Sequence, residues 1–382
     1  MSPNDSTPRS TRPLTGADAG FSRRAGLRAA ALGAAGLGAA GLATAAGASS
    51  ALAAPSAVAG PSVAPTRAPR AGEEAVVAVS ATTLWVEPRT NRPGIDDPSL
   101  TNPVDLDAWN ANMQDTETRR WLTGELESQA VLGSRVIVDK VDGDWAHVVV
   151  TAQPTPRDER GYPGWVPLAQ LVPDPEFLEL AASAPTATVT ALTSRLTGTP
   201  SGNHPGIPVS FDTVLPVLKR TAKAVQVAVP GGEPAYLPAA DVVVREPGET
   251  PPLPTADEVI ATGERFLGLR YLWAGVSAWG FDCSGFTYTL FHHHGITLNR
   301  DAGPQMKDSG LEEVAREDLQ RGDLVFFLTE PGATSIRHVA MYVGDGMIMQ
   351  APNASRSVEI MSLEEYDTDG EYAGARRVPL AG

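Results

Sequence analysis

The single cysteine of this 382-residue chain lies in a glycine-rich turn that precedes a helical pattern. Residues 275–286 have the sequence GVSAWGFDCSGF, and residues 271–273 (YLW) before them predict a short strand. The first turn of a helix carries unpaired amide hydrogens and the positive end of the helix dipole, which favour a thiolate. Cys283 is therefore a candidate nucleophile. The alternative is a buried structural thiol, because free cysteine is among the most buried residue types.

Three apolar runs downstream predict neighbouring strands that could supply partners for a thiolate. They lie at residues 323–328, 337–346 and 347–351, and the second ends in a Gly-Asp-Gly turn. Gln350 follows His338 by 12 positions (350 − 338), a spacing that suits two antiparallel strands joined by a tight turn. The imidazole could then take the thiol proton, while the amide oxygen holds the other ring nitrogen.

The chain resembles the NlpC-type cell-wall cysteine peptidases over roughly residues 75–382. The resemblance is carried by YLWAG at 271–275, FDCSGF at 281–286, RGDLVFF at 321–327 and HVAMYVG at 338–344. Within them the chain is most similar to three-domain γ-D-glutamyl-L-diamino acid endopeptidases, which carry two bacterial SH3-like domains before a papain-like domain. The resemblance implies that Cys283 is the nucleophile and His338 the general base. Gln350 would orient His338, at a position where the family more often has histidine.

The resemblance also implies a set of substrate-binding residues around the nucleophile. The Tyr271 hydroxyl and the Cys283 backbone amide are candidates for stabilising the oxyanion of the intermediate. Asp301 would bind the amino end of the peptide together with Glu127 and Tyr162 of the first SH3-like domain. Without the family, a solvated acid and a packed aromatic would be the simpler interpretation of Glu127 and Tyr162. The remaining substrate-binding candidates are Trp273, Asp282 and Ser284.

The predicted amino-end subsite has a chemical consequence for the substrate. Two carboxylates facing a free ammonium supply charge-assisted hydrogen bonds, about twice as strong as neutral ones, and would make a free N-terminal L-Ala a requirement. Ala302 stands where the family usually has serine, and Ala274 where a second glycine is usual. Loss of one hydroxyl is expected to weaken binding of the D-glutamate carboxylate by about 0.5–1.5 kcal/mol. Asp282, just before the helix, is expected to cap it.

The run His292-His293-His294 suggests a metal site at first sight. Adjacent helix residues point about 100° apart, so three in a row cannot converge on one ion. We expect a solvated helix end there, and neither a metal nor an organic cofactor.

Residues 1–54 have the pattern of a twin-arginine-type export signal. Arg23 and Arg24 precede an Ala/Gly/Leu-rich stretch at 29–46 and a small-residue cleavage site near Ala53. The alternatives are a transmembrane anchor and an ordinary secretory signal with a chance arginine pair. So many alanines and glycines give weak hydrophobicity, which argues against the anchor. We therefore predict an exported protein, extracellular or associated with the cell wall, without stable membrane insertion.

The charge of the chain limits the classes of partner. It has 30 basic and 45 acidic residues, hence a net charge of −15. Residues 1–53 hold five arginines and two aspartates, so the mature protein is near −15 − 3 = −18. Such an acidic surface argues against nucleic acid and against charge-driven adhesion to a polyanionic wall. A soluble peptide fragment is the more compatible substrate.

Proline clusters and turn signals divide the mature chain into predicted domains. Thr255 and Glu258 predict a capping box at the start of the last one. A helical pattern from Asp105 to about Ala130 interrupts the strands of the first. The segments are a Pro/Ala-rich linker at 55–73, a first SH3-like domain at 74–174, a second at 185–248 and a papain-like catalytic domain at 255–382.

The sequence therefore predicts an α+β cysteine peptidase with two small β-barrels in front of a papain-like domain. The predicted reaction is hydrolysis of the bond between D-glutamate and the diamino acid in peptidoglycan stem peptides of the type L-Ala-γ-D-Glu-diamino acid. One alternative is an endopeptidase that acts on intact peptidoglycan, with the barrels as wall-binding modules. A second is a catalytically dead binding module, against which the presence of Cys283 and His338 argues.

Overall fold

The computed structural model describes residues 67–382. The predicted export signal and the linker up to residue 66 lie outside the described residues. Within the described part, no helix is long and apolar enough to cross a membrane.

The first sheet has seven antiparallel strands in the order β3-β2-β6-β5-β4-β1-β7. Three short helices, α1 to α3, connect β2 to β3. The strands are β1 (Glu74–Val77), β2 (Ala81–Trp85), β3 (Leu126–Val131), β4 (Arg135–Asp142), β5 (Trp145–Val150), β6 (Tyr162–Pro167) and β7 (Leu171–Val172). The helices are α1 (Asp97–Leu100), α2 (Leu106–Asn112) and α3 (Thr116–Arg120).

The predicted helical insertion is confirmed in its first half and wrong in its second. Asp105 and Asp115 accept hydrogen bonds from backbone amides in the first turns of α2 and α3, so both helices begin at an acidic cap. Helical structure ends at Arg120, and Leu126–Val131 forms strand β3. The reason is the pairing of β3 with β2, which buries Leu126 and Ala130 in the first hydrophobic core.

The second sheet has seven strands in the order β10-β9-β13-β12-β11-β8-β14, which repeats the order of the first sheet strand for strand. Helix α4 (Pro175–Ser183) joins the two, and the Asp174 carboxylate caps it and also accepts from the Gly231 amide in the second sheet. The strands are β8 (Thr186–Val189), β9 (Thr193–Thr197), β10 (Pro205–Ser210), β11 (Val214–Arg220), β12 (Ala224–Val227), β13 (Ala235–Pro238) and β14 (Val242–Arg245).

The last third of the chain packs helices against a six-stranded antiparallel sheet in the order β17-β22-β18-β19-β20-β21. The helices are α5 (Ala256–Glu264), α6 (Cys283–His293), α7 (Ala302–Lys307) and α8 (Leu363–Tyr366). A hairpin of two short strands, β15 (Val276–Ser277) and β16 (Gly280–Phe281), precedes α6. The sheet strands are β17 (Glu312–Val314), β18 (Leu324–Leu328), β19 (Ile336–Gly344), β20 (Met347–Gln350), β21 (Glu359–Ser362) and β22 (Tyr372–Arg377). The predicted capping box of Thr255 and Glu258 is confirmed.

Two local predictions in this region are wrong. Residues 271–273 form no strand: the chain there turns, and the Leu272 amide instead donates to the Phe281 carbonyl across the hairpin. The histidine run is not a solvated helix end. His292 and His293 both face the carboxylate of Asp212 from the second sheet, with Nδ1–oxygen distances of 2.6 and 3.4 Å. The end of α6 therefore packs against the turn between β10 and β11, where Asp212 lies.

The first sheet packs directly against the segment that leads to Cys283. Leu272, Ala274 and Trp279 belong to the same hydrophobic core as Trp85 and Trp109 of the first sheet region. Two side chains of the helical insertion also donate to backbone carbonyls of this segment, Arg119 to Tyr271 at 2.9 Å and Asn110 to Trp279 at 2.8 Å. The first sheet region therefore fixes one side of the turn on which the nucleophile stands.

Candidate active site

Cys283 is the first residue of α6, and its position is fixed by the capping of that helix. The Asp282 carboxylate accepts from the Gly285 amide at 2.6 Å, as the sequence predicts. A Cβ on Gly285 would lie 2.0 Å from the Gly275 carbonyl oxygen, so only glycine lets α6 approach the hairpin so closely. The sulfur-bearing side chain remains 8% exposed at the base of the site.

His338 and Gln350 lie on the adjacent strands β19 and β20, as predicted from their spacing. The imidazole Nε2 lies 2.7 Å from the Gln350 amide oxygen, which can only accept. Nε2 must therefore carry the proton, which leaves Nδ1 as the free proton acceptor of the ring. The backbone amide of Val339, next to His338, lies close enough to Cys283 to lower the pKa of its thiol, so Cys283 lies beside strand β19.

Burial keeps both groups uncharged in the resting site. It raises the pKa of the Cys283 thiol to about 12, helped by the neighbouring Asp282 charge and opposed by the amides of Val339 and Ser284. It lowers the pKa of His338 to about 3, against the effect of the hydrogen bond to Gln350. The expectation that the helix terminus favours a thiolate is therefore overridden by desolvation.

Aromatic rings enclose His338 on two sides. The ring centroids of Phe327 and Tyr366 lie 5.7 and 5.2 Å from that of the imidazole. The Tyr366 hydroxyl accepts from the Arg337 guanidinium at 3.2 Å. Tyr271, the oxyanion candidate, is buried in the same hydrophobic cluster as Cys283. Its burial, followed by the nearby sulfur, raises the pKa of its phenol, so the hydroxyl keeps its proton and can donate.

A buried arginine links the nucleophile to the predicted substrate-binding residues. Arg300 is fully buried, and its guanidinium donates to both Asp282 carboxylate oxygens at 3.1 and 2.8 Å. It also donates to the Ser284 hydroxyl at 3.1 Å and, from Nε, to the Ser128 hydroxyl of β3 at 2.9 Å. The residues on either side of Cys283 are thus held by one planar donor group.

The predicted amino-end subsite is assembled across two domains. The Tyr162 hydroxyl on β6 donates to the Asp301 carboxylate, which it meets at 2.9 and 3.1 Å from the two oxygens. Glu127 is the extra residue of a β-bulge, because Leu126 and Ser128 pair with consecutive residues of β2. Arg157 lies between them, bonded to the Glu127 carboxylate at 2.5 and 2.8 Å and to the Tyr162 hydroxyl at 3.2 Å. We refer to Glu127, Tyr162 and Asp301 as the amino-end subsite.

The remaining predicted residues lie around these two groups. The Trp273 indole donates to the carbonyl of Leu126, beside Glu127, at 2.9 Å. Ala302 is buried at the start of α7 and offers no hydroxyl. Ala274 has a φ of +65°, in the left-handed region that favours glycine, at the position where the family usually has one.

Comparison with known proteins identifies the family of the chain. The model of the NlpC/P60 family matches residues 268–377, and the model of the YkfC SH3b2 domain matches residues 189–244. A γ-D-glutamyl-L-lysine dipeptidyl-peptidase of Bacillus cereus is 47% identical over 306 residues, which cover 80% of this chain and 90% of that protein. The chain belongs to the NlpC/P60 family. It is accordingly a cysteine endopeptidase of peptidoglycan, with an SH3-type domain before the catalytic one.

Two further relatives extend over the same part of this NlpC/P60 peptidase. A Bacillus subtilis protein, also a γ-D-glutamyl-L-lysine dipeptidyl-peptidase, is 34% identical and covers 77% of the chain and 95% of its own length. A crystal structure of an NlpC/P60 family protein from Bacillus cereus superposes with a TM-score of 0.76 at 46% identity. It covers 80% of this chain and 99% of its own. The similarity therefore extends beyond the catalytic domain into the part of the chain in front of it.

Several residues of this NlpC/P60 site escape prediction from the sequence. Arg300 stands beside a residue that the motif singles out, and burial of its charge could not be known without the fold. Tyr366 lies 28 residues beyond His338 in a short helix without a motif, so no local signal marks it. Glu359 pairs with Gln350 across β20 and β21, and its carboxylate accepts from the Gln350 amide nitrogen at 3.2 Å. Only the strand register brings Glu359 to the site.

Glu359 contacts the side-chain amide of Gln350 on the side away from His338. Its carboxylate binds the amide nitrogen of Gln350, so the amide oxygen faces His338. We predict that Glu359→Gln lowers kcat by roughly 3- to 10-fold with little change in KM, because a charge-assisted hydrogen bond that orients the base is lost. Steady-state kinetics of this variant and of Glu364→Gln, an exposed charge-matched control on α8, check it. Equal kcat values for the two variants would show that Glu359 does not help to orient Gln350 for catalysis.

Proposed function

We propose that this peptidase hydrolyses the γ-D-glutamyl-L-diamino acid bond of stem peptides that have a free N-terminal L-Ala. The observation that carries the proposal is the hydrogen bond between Tyr162 and Asp301. This bond connects the first sheet to the catalytic part of the chain. Asp301 directly follows Arg300, whose guanidinium binds Asp282 and Ser284 on either side of Cys283. The names of the two Bacillus relatives, γ-D-glutamyl-L-lysine dipeptidyl-peptidases, support the same bond.

The chemistry of the amino-end subsite matches a terminal ammonium. Asp301 is mostly enclosed, and its burial raises the pKa of its carboxyl, so a cation brought beside it would favour the ionised form. Glu127 supplies a second carboxylate and Tyr162 an oxygen for a three-donor ammonium. An acylated nitrogen would bring one donor and no charge to these two carboxylates.

In the proposed mechanism Cys283 attacks the γ-carbonyl of D-glutamate while His338 Nδ1 takes the thiol proton. The Tyr271 hydroxyl and the Cys283 amide would donate to the oxygen of the tetrahedral intermediate. Its collapse breaks the carbon–nitrogen bond, and His338 returns the proton to the departing amine, which leaves a thioester on Cys283. Water, deprotonated by His338, then releases L-Ala-D-Glu and restores the thiol.

The amine requirement gives the test of the proposal. We predict that N-acetylation of L-Ala-γ-D-Glu-L-Lys lowers kcat/KM by at least about 100-fold, because the acetyl group removes the charge and crowds the subsite. Lysine release by wild-type enzyme from the free and the acetylated peptide measures it. Asp301→Asn should reduce the preference mainly through KM for the free peptide. Equal hydrolysis of both peptides by wild-type enzyme would overturn the proposal.

The wall-acting alternative predicts a different result with a larger substrate. In intact peptidoglycan the alanine nitrogen is acylated, so the amino-end subsite would have no ammonium to bind. Purified sacculi should therefore yield product only after an amidase has exposed the alanine amine. Release of peptides from untreated sacculi at a comparable rate would favour the alternative.

We also propose that residues 74–174 form an SH3-like domain of their own, the first of two, and that the protein is exported. The identical strand order of the two sheets supports the SH3-like fold of residues 74–174, because the second sheet coincides with the match to the YkfC SH3b2 domain.

The paired arginines and the apolar stretch of residues 1–54 support export by the twin-arginine route. Replacing Arg23 and Arg24 by lysines should retain the unprocessed protein inside the cell, and normal secretion of this variant would exclude that route.

A further inference from the structure

The amino-end subsite already contains a cation that belongs to the protein. Arg157 lies in the segment 151–161 between β5 and β6, and its two terminal nitrogens bind both oxygens of Glu127. The same guanidinium donates to the Tyr162 hydroxyl and lies 5.2 Å from the centre of its ring. All of these contacts are made with groups assigned to the substrate ammonium.

Arg157 reduces the net negative charge of the amino-end subsite from two to one. Glu127 and Asp301 together carry two negative charges, and Arg157 offsets one of them. The hydrogen bond to Glu127 raises the pKa of Arg157, so its charge is permanent. The Glu127 side chain is 17% exposed beneath an arginine that is 44% exposed. The guanidinium thus covers the carboxylate from the solvent side.

We propose that Arg157 occupies the substrate's place in the empty enzyme and that the terminal ammonium of the peptide displaces it from Glu127. This inference rests on the proposed function, because it assumes that the amino-end subsite binds an ammonium. Arg157 is then a specificity-determining residue: it lowers affinity for the peptide by competition, and it prevents two nearby carboxylates from standing without a counter-ion.

Because the ion pair between Arg157 and Glu127 is exposed, breaking it changes the free energy of the protein only slightly. An ion pair with one partner open to solvent contributes little, because water and salt screen it and a long side chain must be held still. Arg300 offers the contrast within the same protein, since its side chain is 1% exposed and cannot leave Asp282 without leaving a buried charge. Arg157 can swing into solvent with its flexible stem, and its loop has no strand pairing to break.

The inference predicts a gain in apparent affinity when the arginine is removed. Arg157→Ala should lower KM for L-Ala-γ-D-Glu-L-Lys by about 2- to 5-fold with kcat unchanged. This factor corresponds to the free energy that an exposed ion pair typically contributes. Arg157→Gln keeps the length of the side chain without its charge and should do the same. Kinetics of the N-acetylated peptide are measured in parallel for every variant.

Arg160 supplies a matched control on the same loop. It is also exposed and binds two carboxylates, Asp139 and Asp158, that lie outside the amino-end subsite. Arg160→Ala changes the net charge equally and should leave KM unchanged. An equal drop in KM in this variant would show a general charge effect and overturn the inference.

The possible failures are distinguishable from one another. If wild-type enzyme prefers the free amine but both Arg157 variants keep or raise its KM, the displacement is wrong and the proposed function stands. If wild-type enzyme hydrolyses the free and acetylated peptides equally, the proposed function fails and the inference fails with it. Circular dichroism of both Arg157 variants identifies a folding defect, and the Gln variant then decides.

Discussion

Replacing Cys283 by serine is expected to reduce kcat for the stem peptide by roughly four orders of magnitude. A hydroxyl is a far weaker nucleophile than sulfur in a site whose base, His338, is held neutral by burial. Removal of the nucleophile or the base of a hydrolase site costs up to about 10⁶-fold in kcat, and we expect a smaller loss here because serine remains a weak nucleophile and the other groups still bind and orient the substrate. The measurement is lysine release from L-Ala-γ-D-Glu-L-Lys under saturating conditions.

The control for this variant is substrate binding. Serine has a shape and size similar to those of cysteine, so the core that contains residue 283 should keep its packing, and calorimetry should still detect saturable binding of the peptide. Turnover within tenfold of wild type would show that another group attacks the carbonyl. Loss of binding together with turnover would instead indicate a structural role for the thiol.

Replacing Arg300 by methionine is expected to lower the free energy of unfolding by about 3–5 kcal/mol. The side chain is 1% exposed, and its removal leaves the Asp282 carboxylate buried with no cation beside it. It also leaves the Ser284 and Ser128 hydroxyls without their shared donor. Chemical denaturation with urea, analysed by the midpoint and slope, measures the change.

Two further variants separate the buried ion pair from other effects. Arg160→Met removes an exposed arginine that also binds two carboxylates, and it should change stability far less. Asp282→Asn in the Arg300→Met background removes the unpaired charge, so the double variant should be more stable than the sum of the two single changes. Equal losses for Arg300→Met and Arg160→Met would refute the view that Arg300 anchors the site.

The parts of the fold that the sequence predicts are those with local signals. The turn before Cys283, its acidic cap and the strands of His338 and Gln350 lie within short stretches whose spacing is readable. The capping box of Thr255 is of the same kind. Each depends on residues at most about a dozen positions apart, so long-range packing had little opportunity to change the local conformation.

The features that could not be predicted depend on contacts between distant segments. Glu127 lies on a strand, where a helical pattern was expected to continue, because pairing with β2 decides its conformation. The histidines at the end of α6 are drawn to Asp212 from the second sheet. The repeat of the two sheets is visible in strand order and not in residue identities, because a small barrel constrains its apolar alternation and turns more than its exact residues.

The site itself divides along the same line. Its catalytic members are marked by motifs, whereas Arg157 sits in an irregular loop whose sequence says nothing about what its guanidinium meets. Its ion pair with Glu127 spans 30 positions, and that of Arg300 with Asp282 spans 18. Charged partners at such distances are determined by the fold and do not follow from either residue's neighbours.

Identification of the products from one defined peptide is the decisive measurement. Mass spectrometry of L-Ala-γ-D-Glu-L-Lys incubated with wild-type enzyme should show L-Ala-D-Glu and free lysine, with nothing released by the Cys283→Ser variant. Appearance of free alanine with the remaining dipeptide, or the same products from the variant, would contradict attack by this cysteine on the γ-glutamyl carbonyl.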